Sequence, residues 1–302
     1  VLSLIDEELP APGSGEVLIE VRAVGVNPFD VKSYSGAFGN DPASLPLRVG
    51  SEAAGVVIAV GAGAAGPAGP ISVGDEVIAY RAPGAYAERL LVPGEAVLPR
   101  PASLSWEQSA GLLLTGVTAV HALTAAGVGA GNVVLIHAAA GGVGLIAVQT
   151  AVARGARVIG TAAPADHDLL RSLGAEPVAY GVGLADRVRT LAPDRVDAAL
   201  DLIGSEEALD VSVELVAEPD RIATINNFGP AASAAGIKVL GNGPGADPGT
   251  EIRANARLDL VRLAADGKLT VRVDRTFPLA DAAGAHRYLQ EGKARGKLAL
   301  IP

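Results

Sequence analysis

Val133-Val134-Leu135-Ile136-His137-Ala138-Ala139-Ala140-Gly141-Gly142-Val143-Gly144 is the stretch that decides the fold. Its four leading apolar residues, three of them β-branched, read as a strand buried on both faces, and such strands belong to parallel sheets. After Gly144 the chain stays apolar nearly all round through Val152, the pattern of a helix packed on every side. A tight turn from buried strand to buried helix leaves N–H groups at the helix N-terminus, where an anion can rest. Gly141 and Gly142 remove the Cβ atoms that would hold a diphosphate away, with Val143 following, and Gly144 lets the helix lie close to the strand. Ala139 stands where this fingerprint usually has its first glycine. In an Ala/Gly-rich chain a glycine triplet alone is often an ordinary turn. The strand-loop-helix setting makes this one a dinucleotide site.

Working outward, the same rhythm continues. A strand is expected at Arg157–Thr161, then a helix over 166–173 closed by Gly174. Further strands are expected at 178–180, 196–200, 221–225 and 237–240, with helices at 184–191 and 206–216 between them. Apolar strands alternating with helices describe a doubly wound parallel sheet. The first third reads differently: Val17, Ile19 and Val21 share one face of a strand whose other face carries Leu18, Glu20 and Arg22. Short strands are expected at 56–60, 76–80 and 88–92. Gly63, Gly66 and Gly69 lie in the Ala/Gly/Pro stretch 61–70, read as a flexible surface insertion. Alternation returns at Leu269, Val271 and Val273, before a helix at 282–290 and a last strand at 297–301. The α/β architecture is therefore a discontinuous barrel-like β domain, residues 1–108 and 247–302, into which a dinucleotide domain, residues 109–246, is inserted.

Composition narrows the function. The chain has 302 residues, enough for two domains, and 49% apolar with 19% charged residues is a globular balance. A net charge of −9 with scattered basic residues opposes a phosphate backbone, so no nucleic-acid partner is expected. There is no cysteine, which excludes disulfides, thiolate nucleophiles and thiolate metal sites. No formal charge occurs from Gln108 to Ala153, yet Gly127, Gly129, Gly131 and Asn132 interrupt the run, and it reads as buried protein and not as a membrane span. With no targeting segment visible, a cytoplasmic protein is expected. Methionine is absent, so translation is expected to start upstream of Val1.

The choice of cofactor rests on the end of the second parallel strand, where enzymes that use NAD place an acid on the ribose 2′-hydroxyl. Here the chain reads Gly160-Thr161-Ala162-Ala163-Pro164. No acid repels a 2′-phosphate, which favours NADPH, with His167, Arg171 and Tyr180 the nearest groups to hold that phosphate.

Gly50-Ser51-Glu52-Ala53-Ala54-Gly55, Val26-Asn27-Pro28-Phe29-Asp30, the 137–144 loop followed by Gln149, Val73-Gly74-Asp75-Glu76-Val77, Gly84-Ala85-Tyr86-Ala87-Glu88, Leu114-Thr115-Gly116-Val117-Thr118 and Gly292-Lys293-Ala294-Arg295-Gly296-Lys297 occur in that relation along the chain. With them the sequence resembles the zinc-independent quinone oxidoreductase branch of the medium-chain dehydrogenase/reductase superfamily. The resemblance implies a GroES-like catalytic domain, a Rossmann domain and a homodimer formed along the Rossmann sheet edge near 237–240. It also implies that the family's opening strand precedes Val1. Zinc-dependent relatives have cysteine where Asn27 stands and histidine where Ser51 stands, and both ligands are missing here. The resemblance lends cofactor contacts to Asn27 and Thr118 near the nicotinamide, to Gly141, Gly142, Val143 and Gly144 at the pyrophosphate, to Thr161, His167 and Tyr180 toward the adenosine, and to Phe228 and Lys297. Two departures stand out: Lys32 replaces a tyrosine of some bacterial members, and no lysine follows Thr161.

The expected reaction is hydride transfer from NADPH to a small electrophilic acceptor, a quinone or an α,β-unsaturated carbonyl. Without a Lewis acid, alcohol oxidation fits poorly. Lys32 and Tyr34, which share a segment with Asn27 and Asp30, are the groups expected to stabilise or protonate the carbonyl oxygen. The alternatives are an enoyl-thioester or alkene reductase, and a non-catalytic NADPH-binding structural protein. His137 and His121 read as packed core histidines.

Overall fold

The computed structural model describes residues 2–37, 45–226, 228–229, 232, 235–243 and 245–302. The chain forms two compact units, Val1–Leu114 with Arg257–Pro302, and Thr115–Ala256. Both junctions fall later than the sequence suggests, inside the helices Leu113–Ala125 and Thr250–Ala265. The helix Thr250–Ala265 contains no Gly or Pro, and Gly116 does not interrupt the helix Leu113–Ala125, so neither junction is marked by a break in the residues.

The first unit is built on β1 (Glu16–Val26), from which α1 (Pro28–Tyr34) follows directly. Then come β2 (Glu52–Val60), the two-residue strands β3 (Ala65–Gly66) and β4 (Gly69–Pro70), β5 (Glu76–Tyr80), β6 (Arg89–Pro93) and β7 (Val97–Pro99). The stretch read as a flexible insertion is thus a hairpin, with Ala65 opposite Pro70 and Ala64 buried beneath it. Along one edge β1 pairs antiparallel with β2, from Val17↔Val60 to Val24↔Ala53, with bulges after Leu18 and Val21. Bulges bend a strand. Residues Glu16 to Glu20 therefore pair with β6, while Val24 to Val26 are free to pair elsewhere. Val17, Ile19 and Val21 are buried, and Glu20 and Arg22 on the other face form an ion pair at 2.6 Å. Helix α2 (Trp106–Ala110) closes this part, its Ser105 Oγ accepting from Gln108 N–H and Gln108 Oε1 accepting from Ser105 N–H.

The second unit opens in α3 (Leu113–Ala125) and continues as β8 (Val133–Ile136), α4 (Gly142–Ala153), β9 (Arg157–Thr161), α5 (His167–Ser172), β10 (Ala175–Val178), α6 (Leu184–Leu191), β11 (Ala198–Asp201), α7 (Glu206–Leu215), β12 (Ile222–Thr224) and β13 (Lys238–Val239). The strand order is β10-β9-β8-β11-β12-β13 with every pairing parallel. That is the doubly wound order in which the first strand lies at the centre and the crevice opens at its carboxyl end. β8 and α4 are buried along most of their length, as a central layer requires. β10 lies earlier than expected, so Tyr180 falls beyond the strand.

After α8 (Thr250–Ala265) the chain returns to the first unit as β14 (Val273–Pro278), α9 (Ala282–Gln290) and β15 (Lys297–Ile301). β15 pairs antiparallel with the free half of β1, Val24↔Leu300 and Val26↔Leu298, and parallel with β14. Leu269 and Val271 are buried in an extended approach that makes no ladder, so their alternation marks packing and not a strand. A GroES-like β domain and a Rossmann-type parallel sheet make up the fold. Among the described residues no helix is long and apolar enough to cross a membrane.

Candidate active site

In the second unit the glycine loop is held by the neighbouring strand. Ala138 N–H donates to Thr161 Oγ1 at 3.1 Å and Ala139 N–H to Thr161 O at 3.0 Å. Ala138 takes a left-handed φ of 54°, so the position needing an unusual backbone is one before the Ala139 singled out from the fingerprint. The first α4 amide to bond back along the chain is that of Leu145, to Gly141 O at 2.9 Å. The amides of Gly142, Val143 and Gly144 precede it at the positive end of the helix. A Cβ on Gly144 would sit 2.2 Å from Ala138 O and 2.7 Å from Ala139 O, so only glycine lets the helix start this close to the loop. Thr161, expected to touch the cofactor, is buried and holds the loop.

Past β9 the expected phosphate partners separate. His167 Nε2 lies 3.3 Å from Ala162 O, and Arg171 pairs with Asp168 at 2.7 Å. Tyr180 is 60% exposed on a loop whose carbonyls, those of Ala179, Gly181 and Val182, are gathered by the Arg187 guanidinium at 2.7 to 3.1 Å. Arg187 went unnoticed in the sequence because its partners are backbone atoms. Phe228 is partly exposed beside Gly243, and Thr118 is buried in α3. His137 lies 3.1 Å from Ser212 Oγ, and burial pushes its imidazole down to about 4, so it is a neutral core residue. His121 is buried, with Asp247 at 3.2 Å and Arg253 Nε at 3.2 Å.

In the first unit α1 starts immediately after β1, which places Asn27 at its N-cap, fully buried. Asn27 Nδ2 donates to Glu52 Oε1 at 3.1 Å. Lys297 Nζ donates to Val26 O and Glu52 Oε1, each at 3.1 Å, and to Asn27 Oδ1. These three bonds use all the hydrogens of the ammonium. Glu52 Oε2 accepts from Leu114 N–H at 2.8 Å. Gly111 leaves room for the lysine stem, since a Cβ there would meet Lys297 Cε and Cγ at 3.0 Å. Asn27 and Lys297, expected as cofactor contacts, are placed together in a polar knot: both are buried and their polar atoms face one another. Zinc-dependent relatives have a metal ligand at the position of Asn27. Here the knot holds a fixed ammonium, which repels a divalent cation, so the residues present do not fit zinc.

A second set of contacts leads from α1 to α9. Asn27 N–H donates to Asp30 Oδ2 at 2.8 Å, and Ser51 Oγ donates to Asp30 Oδ1 at 2.8 Å. Tyr86 OH is 3.3 Å from Asp30 Oδ2 and 2.8 Å from His286 Nε2, and Tyr34 OH is 2.7 Å from His286 Nδ1. Burial raises the Asp30 carboxyl to about 6 and raises the Tyr86 phenol well above its ordinary range, and it lowers the His286 imidazole. Tyr34, expected as a donor, thus belongs to a chain of titratable groups. Lys32 lies in the last turn of α1, partly exposed. Nothing in the sequence signalled His286, which reaches the site from 252 positions beyond Tyr34.

A GroES-like domain interrupted by a doubly wound sheet with a glycine-opened first helix defines the two-domain class of pyridine-nucleotide dehydrogenases and reductases. The alcohol dehydrogenase GroES-like domain matches residues 13–102, and the zinc-binding dehydrogenase domain matches residues 173–300. A quinone oxidoreductase of Pseudomonas aeruginosa is 32% identical, covering 100% of this chain and 96% of its own. The synaptic vesicle membrane protein VAT-1 homolog of Rattus norvegicus is 29% identical over 97% of this chain and 78% of its own. Among solved structures, a mycobacterial protein complexed with NADPH superposes with a TM-score of 0.83 at 33% identity, covering 99% of this chain and 95% of that one. The chain belongs to the quinone oxidoreductase branch of the medium-chain dehydrogenase/reductase superfamily, a family of oxidoreductases.

Proposed function

We propose that the protein is an NADPH-dependent reductase of quinones or α,β-unsaturated carbonyls that works without zinc, as a homodimer joined along the β13 edge of its parallel sheet. The observation that carries the reading is the opening of α4. The amides of Gly142, Val143 and Gly144 stand at a helix N-terminus, and the absence of a Cβ at Gly144 keeps loop and helix in contact, as a pyrophosphate cradle requires. No acid stands between Thr161 and Pro164, and the first one beyond, Asp166, is buried at the N-cap of α5, which supports NADPH over NADH. The likeness to an NADPH-complexed mycobacterial structure and to a quinone oxidoreductase supports the same cofactor and acceptor class.

NADPH, when bound, supplies the hydride. The protein's own contribution is to orient the dinucleotide through the loop and to give a proton or hydrogen bond to the acceptor oxygen, with Tyr34 and Lys32 on α1 the groups suited to it. The knot of Asn27, Glu52 and Lys297 argues for an electrophilic acceptor in place of an alcohol, because the ammonium at its centre disfavours a Lewis acid there.

The test is calorimetric titration with NADPH and NADH, followed by turnover of 1,4-naphthoquinone and 2-cyclohexenone with and without a chelator. NADPH is expected to bind at least about tenfold more tightly than NADH, a difference of about 1.4 kcal/mol, and the chelator to leave turnover unchanged. Absence of heat with either nucleotide, or turnover that a chelator abolishes, overturns the reading. Light scattering at micromolar concentration tests the dimer, which a monomer mass would refute.

A further inference from the structure

We infer that Asp30, Tyr86, His286 and Tyr34 form a proton wire that carries a proton from the buried carboxyl of Asp30 to the hydroxyl of Tyr34, and from there to the oxyanion of the reduced acceptor. The inference rests on the reductase reading above and adds to it the source and route of the proton.

The argument starts from hydrogen counts. Each phenol has one hydrogen, and a neutral imidazole has one hydrogen for two nitrogens. Tyr86 OH has a neighbour on each side, Asp30 Oδ2 at 3.3 Å and His286 Nε2 at 2.8 Å, so it donates to one and accepts from the other. His286 lies between Tyr86 and Tyr34, with Nδ1 2.7 Å from Tyr34 OH, and is itself buried. Its ring stacks parallel to that of Tyr34 at a centroid distance of 5.6 Å and meets Tyr86 edge-on at 5.5 Å, which fixes its orientation. With Ser51 donating to Asp30 Oδ1 and the imidazole carrying one hydrogen, two arrangements satisfy every contact along the chain. With Asp30 protonated, its hydroxyl donates to Tyr86, Tyr86 donates to His286 Nε2, and His286 Nδ1–H donates to Tyr34, whose own hydrogen is left pointing away from the chain. With Asp30 ionised, every bond reverses: Tyr34 donates to Nδ1, Nε2–H to Tyr86, and Tyr86 to Asp30.

Passing from the first arrangement to the second moves one hydrogen across each link. Tyr34 releases its proton to the acceptor oxyanion and takes one from Nδ1, Nε2 takes one from Tyr86, and Tyr86 takes one from Asp30. One proton leaves the carboxyl, one arrives on the product, and no intermediate site changes charge. Reprotonation of Asp30 from solvent through Tyr34, which is partly exposed, resets the chain. The groups facing Asp30 are the Asn27 amide, Ser51 Oγ and Tyr86 OH, with the Lys297 and Glu52 charges opposing one another beyond them. His286 is faced by the two tyrosines. Burial sets the carboxyl at about 6, so it can give up a proton and regain it near neutral pH, and burial disfavours the charged form of the imidazole.

Two measurements test the wire. In the whole 15N-histidine-labelled protein, which has four histidines, the His286 resonances are assigned by their loss in His286→Gln. They are expected to change from the Nδ1–H to the Nε2–H tautomer as pH rises through about 6, and Tyr86→Phe is expected to abolish the change. A tautomer fixed across pH 5 to 7.5, or conversion straight to imidazolium, overturns the wire whether or not any acceptor is reduced. With NADPH and 2-cyclohexenone, His286→Gln is expected to lower kcat about tenfold and flatten its pH profile while the NADPH dissociation constant stays unchanged. An unaltered profile overturns the wire and leaves the reductase standing. Failure of NADPH to bind overturns the reductase reading and leaves the tautomer result to decide the wire.

Discussion

Lys297 is the residue on which the first unit's polar interior depends. Its ammonium lies against Glu52, which is fully buried, and a buried carboxylate without a partner is far more costly than the pair is favourable. Lys297→Met is therefore expected to destabilise the protein by about 3–5 kcal/mol, and adding Glu52→Gln to restore part of the loss. Urea midpoints of the two variants check this, and a loss below about 1 kcal/mol for the single change would show that water reaches the knot. Asp30 responds to pH in a direction opposite to most carboxylates. Burial raises it from 3.8 to about 6, so the folded state holds its proton more tightly than the unfolded chain does. Its contribution favours folding below about pH 4 and is lost as the pH rises to about 6, a change of about 3 kcal/mol. Asp30→Asn is expected to remove that slope from stability measured between pH 4 and 7, and parallel curves for the two proteins would contradict it.

At the scale of elements, the loop from Ile136 to Gly144 shows where sequence and structure meet. Gly144→Ala would force its Cβ into Ala138 O and Ala139 O, both backbone atoms that cannot swing away. The substitution is expected to cost about 1–3 kcal/mol of stability and to weaken NADPH binding at least about tenfold, read by thermal melting and calorimetry. Wild-type affinity in this variant would mean that the diphosphate does not rest on the α4 amides. This loop was legible because a local pattern, apolar run then glycines then apolar helix, dictates it. The strand Glu76–Tyr80 and the helices Leu184–Leu191 and Ala282–Gln290 were legible for the same reason: period and caps are local. The 61–70 hairpin was not, because its strands are two residues long and exist through the buried Ala64 and the neighbouring chain. The site was legible only in part. Asn27, Asp30, Ser51 and Glu52 stand in recognisable segments, but what they bond to is set by Tyr86, His286 and Lys297. Those partners come from β5–β6, α9 and β15, and no spacing in the sequence links them.

At the scale of the molecule, the first unit is assembled from both ends of the chain, with the second unit folded between them. β15 supplies the partner for residues Val24 to Val26 of β1 and carries Lys297 to Glu52 and Asn27, while β14 depends on β15 for its only pairing among the described residues. The last strand therefore does three jobs that no other element can replace: it covers an edge of β1, neutralises a buried carboxylate and anchors β14. The parallel sheet of the second unit contains none of these residues and closes on its own strands. Removing residues 297–302 is expected to strip amide-exchange protection from β1, β2 and β14 while β8, β9 and β11 stay protected, because the lost contacts all belong to one unit. Hydrogen exchange followed by mass spectrometry resolves the two sets of strands. Equal loss in both would show that the units unfold as one cooperative body, and full retention in β1 would show that β6 and β2 suffice to hold it.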